Sequence, residues 1–309
     1  MKVLVATEKP FAQVAVKKIR EVIIEAGYEV AFLENYTSPS ELASAVSDAD
    51  ALIVRSDIVS AGILDAASRL KIVVRAGAGY DNLDLEACTR NNVVAMNTPG
   101  QNSNAVAELA FEMMLYIVRG GFEGRSGTEL RGKTIGIHAF GNVGRYVAEI
   151  SHGFGMFPHA FDPFVPDDVM EKLGIKPCKT AEELYAQCQF VSLHLPFNEK
   201  TGGSINYSLL SLMPSKAVLV NTARKEIIDE ESLLKMFAER PDFRYLADVE
   251  PDCRKIIEEN YSGRYIFTAQ KMGAQTAEAN INAGIAAARQ IVDYFKTGNE
   301  RFRLNSSNQ

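Results

Sequence analysis

A chain of 309 residues has room for about two domains of roughly 100–200 residues each, and 47% hydrophobic against 23% charged residues excludes a disordered or fibrous protein. The net charge of −6 offers no overall attraction to nucleic acid or to an anionic membrane surface, so neither is expected as a partner.

In chain order, short β-branched runs at 2–6, 51–54, 72–74 and 93–96 predict strands separated by helical patterns. The segment 103–119 predicts a long helix that puts Val106, Leu109, Ala110, Met113 and Ile117 on one side, with Asn102 or Ser103 as its N-cap. Further strands are predicted at 134–138, 190–193, 217–220 and 243–246, and a last helix over 276–296. Strands alternating with helices imply βαβ units and parallel sheets covered on both faces. A βαβ series already precedes the glycine-rich turn near 139–144, so one sheet is a poorer fit than two. The expected fold is therefore α/β, with two doubly wound parallel-sheet domains and a cleft between them. A flavodoxin-like domain would span 1–98 and 279–309, and a Rossmann-like nucleotide domain 99–278. The four cysteines, Cys88, Cys178, Cys188 and Cys253, are dispersed without a C-x-x-C pair, which argues against a metal site and predicts a reducing, cytoplasmic setting. No apolar stretch has the length of a signal core or a membrane span, so no targeting segment is expected.

The run TIGIHAFGNVGRYVAEI reads as strand, tight turn and helix, the context that a dinucleotide-binding turn requires. Ala139 stands where the first glycine of the pattern belongs. Gly141 would let the backbone approach a pyrophosphate, the Asn142 and Val143 amides open the helix facing it, and Gly144 allows tight packing of helix on strand. Asp162 lies 18 residues beyond Gly144, after a second apolar strand MFPHAF, where an acid accepts ribose hydroxyls. No arginine follows in DPFVPDD to hold a 2′-phosphate, so NAD is the expected cofactor rather than NADP.

Six stretches carry a wider resemblance: VRSDIV at 54–59, VRAGAGYDNLDL at 74–85, NTPGQNSNAVAELA at 97–110, the turn at 139–144 with Asp162, VSLHLPFNEKT at 191–201 and LVNTARKEIIDEESL at 219–233. Together they resemble the D-isomer-specific 2-hydroxyacid dehydrogenases over nearly the whole chain, most closely the branch that oxidises 3-phosphoglycerate in serine biosynthesis, in a short form without a regulatory domain. The resemblance implies a homodimer acting on a small phosphorylated 2-hydroxy acid. It implies that Arg224 orients the substrate carboxylate and polarises the neighbouring oxygen, a role a fixed guanidinium suits. It places the carboxylate at Gly77 and Ala78, where successive amides can form an anion nest. Arg55 and Ser56 match the pair that holds the phosphate, and Asn102 a further substrate contact. His194, Pro196, Thr222, Ala223 and Asp248 match positions around the cofactor.

Of the four histidines, His138, His152 and His159 fall in a strand, a helix and a strand and read as structural. The family's catalytic histidine sits in a TPHIGAS-like stretch, which here reads FTAQKMGAQT. Counted back from Gly273, Lys271 takes its place; with one inserted residue, Gln270 does. Lysine can relay a proton and glutamine cannot. The glutamate partner is displaced too, and in LADVEPD Glu250 is the candidate to orient Lys271. Three functions stay open: oxidation of a phosphorylated D-2-hydroxy acid, reduction of another 2-oxo acid such as glyoxylate or hydroxypyruvate, and NAD sensing without catalysis.

Overall fold

The computed structural model describes residues 1–306, which divide into two units: Met1–Asn102 with the chain from Gln275, and Ser103–Ala274. The chain crosses between them four residues later, and returns four residues earlier, than the sequence pattern predicted.

The first unit is built on β1 (Lys2–Thr7), β2 (Glu29–Glu34), β3 (Ala51–Val54), β4 (Ile72–Arg75) and β5 (Val94–Asn97). All pair in parallel, in the order β2-β1-β3-β4-β5. Successive side chains of a strand point to opposite faces, so Leu4 and Ala6 of β1 pack into one core with Leu42, Leu52 and Val73, while Val3 and Val5 pack into another with Ile19, Ile53 and Ile291. Helices 39–46, 61–66 and 85–90 cover the first face; helices Gln13–Glu25 and Ala277–Thr297 cover the second. Burial on both faces explains why these strands read as unbroken apolar runs.

The second unit holds β6 (Thr134–His138), β7 (Phe157–Phe161), β8 (Lys176–Pro177), β9 (Phe190–Leu193), β10 (Val218–Asn221), β11 (Arg244–Ala247) and β12 (Tyr265–Phe267). They too are all parallel, in the order β12-β11-β10-β9-β6-β7-β8. Helices Ser103–Val118 and Asn142–Gly153 bury Phe111, Met114 and Val147 against Ile135, Ile137 and Val220; Ala181–Gln187 and Glu230–Glu239 bury Leu184, Leu233 and Phe237 against Val191, Leu219 and Tyr245. The two orders are the flavodoxin-like and the Rossmann-like windings, the latter with an added edge strand. In each, the winding reverses beside one strand pair, β1/β3 and β6/β9, and ligands of such sheets bind outside the carboxyl ends of those strands. Among the described residues, no helix is long and apolar enough to cross a membrane.

The sequence pattern did not predict β2, β8 or β12, and all three lie at sheet edges. No residue of β2 or β12 is fully buried, and β8 has two residues.

Gly136, in the middle of β6, shows how closely the layers approach. A Cβ there would lie 3.0 Å from Leu184 Cγ and 3.1 Å from Cys188 Cβ. Gly136→Ala should therefore destabilise the protein by about 1–2 kcal/mol through overpacking, read as a lower midpoint in urea denaturation; an unchanged midpoint would show that helix 181–187 can shift freely.

Candidate functional site

In the second unit the chain leaves β6 through Ala139 and Phe140 and enters helix Asn142–Gly153, with Gly141 as an N-cap residue that makes no side-chain cap. The first helical amides therefore face outward, a ready anion site. A Cβ on Gly141 would meet nothing within 4 Å, whereas one on Gly144 would lie 2.5 Å from the Ala139 carbonyl oxygen. Gly141 leaves room for a ligand's approach, and Gly144 permits the close packing of helix on strand. Asp162, at the end of β7, accepts from the Phe140 amide (2.8 Å) and the Phe164 amide (2.9 Å). Its half-buried carboxylate is thus fixed against the turn, and each oxygen keeps a second lone pair.

Three further segments end at the carboxyl side of the same sheet. After β9, His194 is half-buried with its Nε2 enclosed and without a hydrogen-bond partner, and Pro196 is exposed. After β10, Asn221 turns the chain: its Oδ1 accepts from the Ala223 amide (3.0 Å) and its Nδ2 donates to the Arg224 carbonyl (2.9 Å). Thr222 is buried with its Oγ1 unpartnered, and the half-buried Arg224 donates through Nη1 to the Ala223 carbonyl (3.0 Å). Burial lowers the pKa of His138 to about 4, against the opposing charges of Asp162 and Glu182, and that of His194 to about 3, with His138 adding to the effect. Both imidazoles are therefore neutral at ordinary pH and neither donates a proton there.

Asp248 is 1% exposed: its Oδ1 accepts from the Met272 amide (2.6 Å) and Thr268 Oγ1 (3.1 Å), and its Oδ2 from the Gly273 amide (2.8 Å). It clamps the loop that carries Gln270 and Lys271, both of which are exposed. Glu250 is exposed, in the loop before helix Arg254–Asn260, and ion-pairs with Arg254.

In the first unit, Arg55 and Ser56 follow β3, beside β1 at the reversal of winding. Arg55 is half-buried and Ser56 exposed. The Arg55 guanidinium lies over the Phe11 ring (5.2 Å), with Nη1 donating to the Lys9 carbonyl (3.0 Å) and Nη2 to Asn280 Oδ1 (2.7 Å). Its planar fork has more donors than these contacts use. Burial lowers its pKa and the charge of Asp57 opposes that shift; a guanidinium stays protonated regardless. Gly77 departs from the nest reading, because its amide donates to the Arg75 carbonyl (2.9 Å). Its positive φ of 154° and missing Cβ make space for Arg75, whose Nη1 would lie 1.6 Å from a Cβ there. Ala78 is held through its carbonyl by Asn97 Nδ2 (2.6 Å), and Asn102 is the last residue before helix Ser103–Val118. Among the described residues, no cluster of acidic, histidine or cysteine side chains could hold a metal ion.

The family model of the D-isomer-specific 2-hydroxyacid dehydrogenase catalytic domain matches residues 3–305. The chain belongs to this family. A D-3-phosphoglycerate dehydrogenase of Sus scrofa is 34% identical over 294 residues, covering 90% of this chain and 54% of its own length. A hydroxypyruvate reductase of Thermotoga maritima is 33% identical over 283 residues, covering 85% of this chain and 90% of its own. The structure of an NAD+-bound 3-phosphoglycerate dehydrogenase in Entamoeba histolytica is similar with a TM-score of 0.87 and 46% identity, covering 99% of each chain. The chain spans about half the length of the curated phosphoglycerate dehydrogenases it matches.

Two residues beside these positions were not singled out in the sequence. Arg75 donates through Nε to the Arg55 carbonyl (2.9 Å), and its position at the end of a strand, just before a glycine pair, was the available signal. Asn221 fell just beyond the strand predicted at 217–220, inside the stretch LVNTARKEIIDEESL. The turn after β6 carries a strain that the family's glycine would remove: Ala139 adopts φ 76°, a left-handed conformation that disfavours side chains. Ala139→Gly should raise stability by about 0.5–1 kcal/mol, measured by urea denaturation; a loss of stability would show that the methyl contributes packing that outweighs the strain.

Proposed function

We propose that this chain is an NAD-dependent oxidoreductase that oxidises D-3-phosphoglycerate at C2 to 3-phosphohydroxypyruvate. The observation that carries the cofactor assignment is the Asp162 carboxylate, held against the glycine turn at the reversal of winding. The residues at this end of the second sheet fit NAD. Gly141 is open, the amides of Asn142 and Val143 can meet a pyrophosphate, and His194 Nε2 and Thr222 Oγ1 are enclosed polar atoms that lack hydrogen-bond partners among the described residues. Asp162 would accept from the ribose hydroxyls and repel a 2′-phosphate. When bound, NAD supplies the acceptor for the C2 hydrogen and its electron pair.

The chain's own residues supply the rest. Arg224 binds the substrate carboxylate and stabilises charge on the C2 oxygen as the hydroxyl proton leaves. Lys271 takes that proton through its Nζ, on a loop fixed by Asp248. Arg55 binds the phosphate, with Ser56 beside it. The Entamoeba and mammalian relatives support the phosphorylated substrate. The Thermotoga relative supports a second reading, reduction of hydroxypyruvate, because the chain covers 90% of that enzyme's length.

The test is NADH formation from 3-phosphoglycerate. Lys271→Met should lower turnover by about 100-fold or more while NAD affinity stays within about twofold. Near-wild-type turnover of Lys271→Met would remove lysine from the mechanism, and NAD binding without turnover of any 2-hydroxy acid would overturn the assignment as an enzyme.

A further inference from the structure

One buried carboxylate in the first unit is used by none of the steps above. Asp57, 4% exposed, lies two residues beyond Arg55. Its Oδ1 accepts from the Glu8 amide (2.6 Å) and from the Tyr36 hydroxyl (2.8 Å), and its Oδ2 accepts from the Arg55 amide (3.0 Å). Its own carbonyl accepts from Asn82 Nδ2 (2.7 Å). These partners belong to four segments: Glu8 follows β1, Tyr36 follows β2, Arg55 follows β3, and Asn82 lies in the loop after β4. One side chain thus ties together the carboxyl-end loops of three adjacent strands, and its backbone engages a fourth.

Arg55 is gripped from both ends by this arrangement. Its amide bonds Asp57 directly, and its guanidinium rests on the Lys9–Phe11 segment through the Lys9 carbonyl and the Phe11 ring. That segment is in turn anchored to Asp57 through the preceding Glu8 amide. The Arg55 carbonyl is fixed as well, by Arg75 Nε (2.9 Å). A buried carboxylate is costly unless its oxygens are filled with donors, and here three donors fill them. They come from the segments that set where the guanidinium stands.

We propose that Asp57 is a positioning residue for substrate: through the Arg55 and Glu8 amides it holds the Arg55 guanidinium in place to receive the substrate's phosphate. The proposal rests on the reading of Arg55 as the phosphate anchor. Asp57 itself meets no substrate; it fixes in advance a side chain that would otherwise lose rotamer freedom on binding.

Asp57→Asn is a selective test. The asparagine Oδ1 can keep the Glu8 and Tyr36 bonds, while its Nδ2 is a donor facing the Arg55 amide, also a donor, so the Arg55 end is released. The KM for 3-phosphoglycerate should rise about tenfold, as expected for a binding group displaced by a fraction of an ångström. The kcat and the NAD dissociation constant should stay within about twofold. Arg55→Ala should raise KM on its own, and adding Asp57→Asn to it should raise KM no further, since a residue acting through Arg55 has nothing left to position. A purely structural role would instead lower kcat and KM performance alike and persist in the Arg55→Ala background. If Arg55→Ala raises KM but Asp57→Asn does not, or if Asp57→Asn costs the same factor with and without Arg55, the positioning role is overturned and the anchor reading survives. If Arg55→Ala leaves KM unchanged, both fall. Should Asp57→Asn fail to fold, Tyr36→Phe removes one Asp57 bond while keeping the carboxylate. It should raise KM in the same direction by a smaller factor, again only when Arg55 is present; an unchanged KM, or the same rise without Arg55, would overturn the proposal.

Discussion

A parallel sheet must be covered on both faces, and its crossover connections keep one hand. When the chain winds outwards in both directions from neighbouring strands, the connections leave those strands towards opposite faces, and their carboxyl ends stay uncovered. This molecule meets that condition twice, beside β1 and β3 in one unit and beside β6 and β9 in the other. The chemistry-bearing residues follow from it. Arg55 and Ser56 come directly after β3, the glycine turn after β6, and His194 after β9. The strands are fixed by double-sided cores, so the loops that begin at their ends begin from rigid points.

The same economy of polar groups recurs at both sheets. Asp57, Asp162 and Asp248 each spend carboxylate oxygens on backbone amides of neighbouring loops. Charge-assisted bonds of this kind are stronger than neutral ones, and a loop tied at its amides holds its side chains in narrower arcs. Asp162 differs in being half-buried, which leaves it able to accept from a ligand as well. Asp57 and Asp248 are enclosed.

Much of this was legible in the sequence because burial on two faces writes itself as unbroken apolar runs: β3, β6 and β9 lie where those runs predict. The edge strands β2, β8 and β12, which hold no fully buried residue or only two residues, were not anticipated, whereas the buried edge strand β5 was. Site residues recognisable by spacing, such as Gly141, Gly144 and Asp162, were named from the sequence. What spacing cannot convey is which oxygen meets which amide. Asp248 and Glu250 stand two residues apart in LADVEPD, yet one closes on a loop more than twenty residues ahead while the other pairs with Arg254. Asp57 looked like one more acidic residue after a strand, and its partners at 8, 36 and 55 are far apart in the chain or simply adjacent, with no periodicity to join them.

On this reading the carboxyl end of the second sheet would hold NAD through Asp162 and the open turn at Gly141. Calorimetric titration of the whole protein with NAD and with NADP tests it most directly. NAD should bind at least about tenfold more tightly, because a 2′-phosphate placed against a fixed carboxylate costs more than about 1.4 kcal/mol, and Asp162→Ala should narrow the difference. Equal affinity for the two cofactors, or no binding of either, would contradict it.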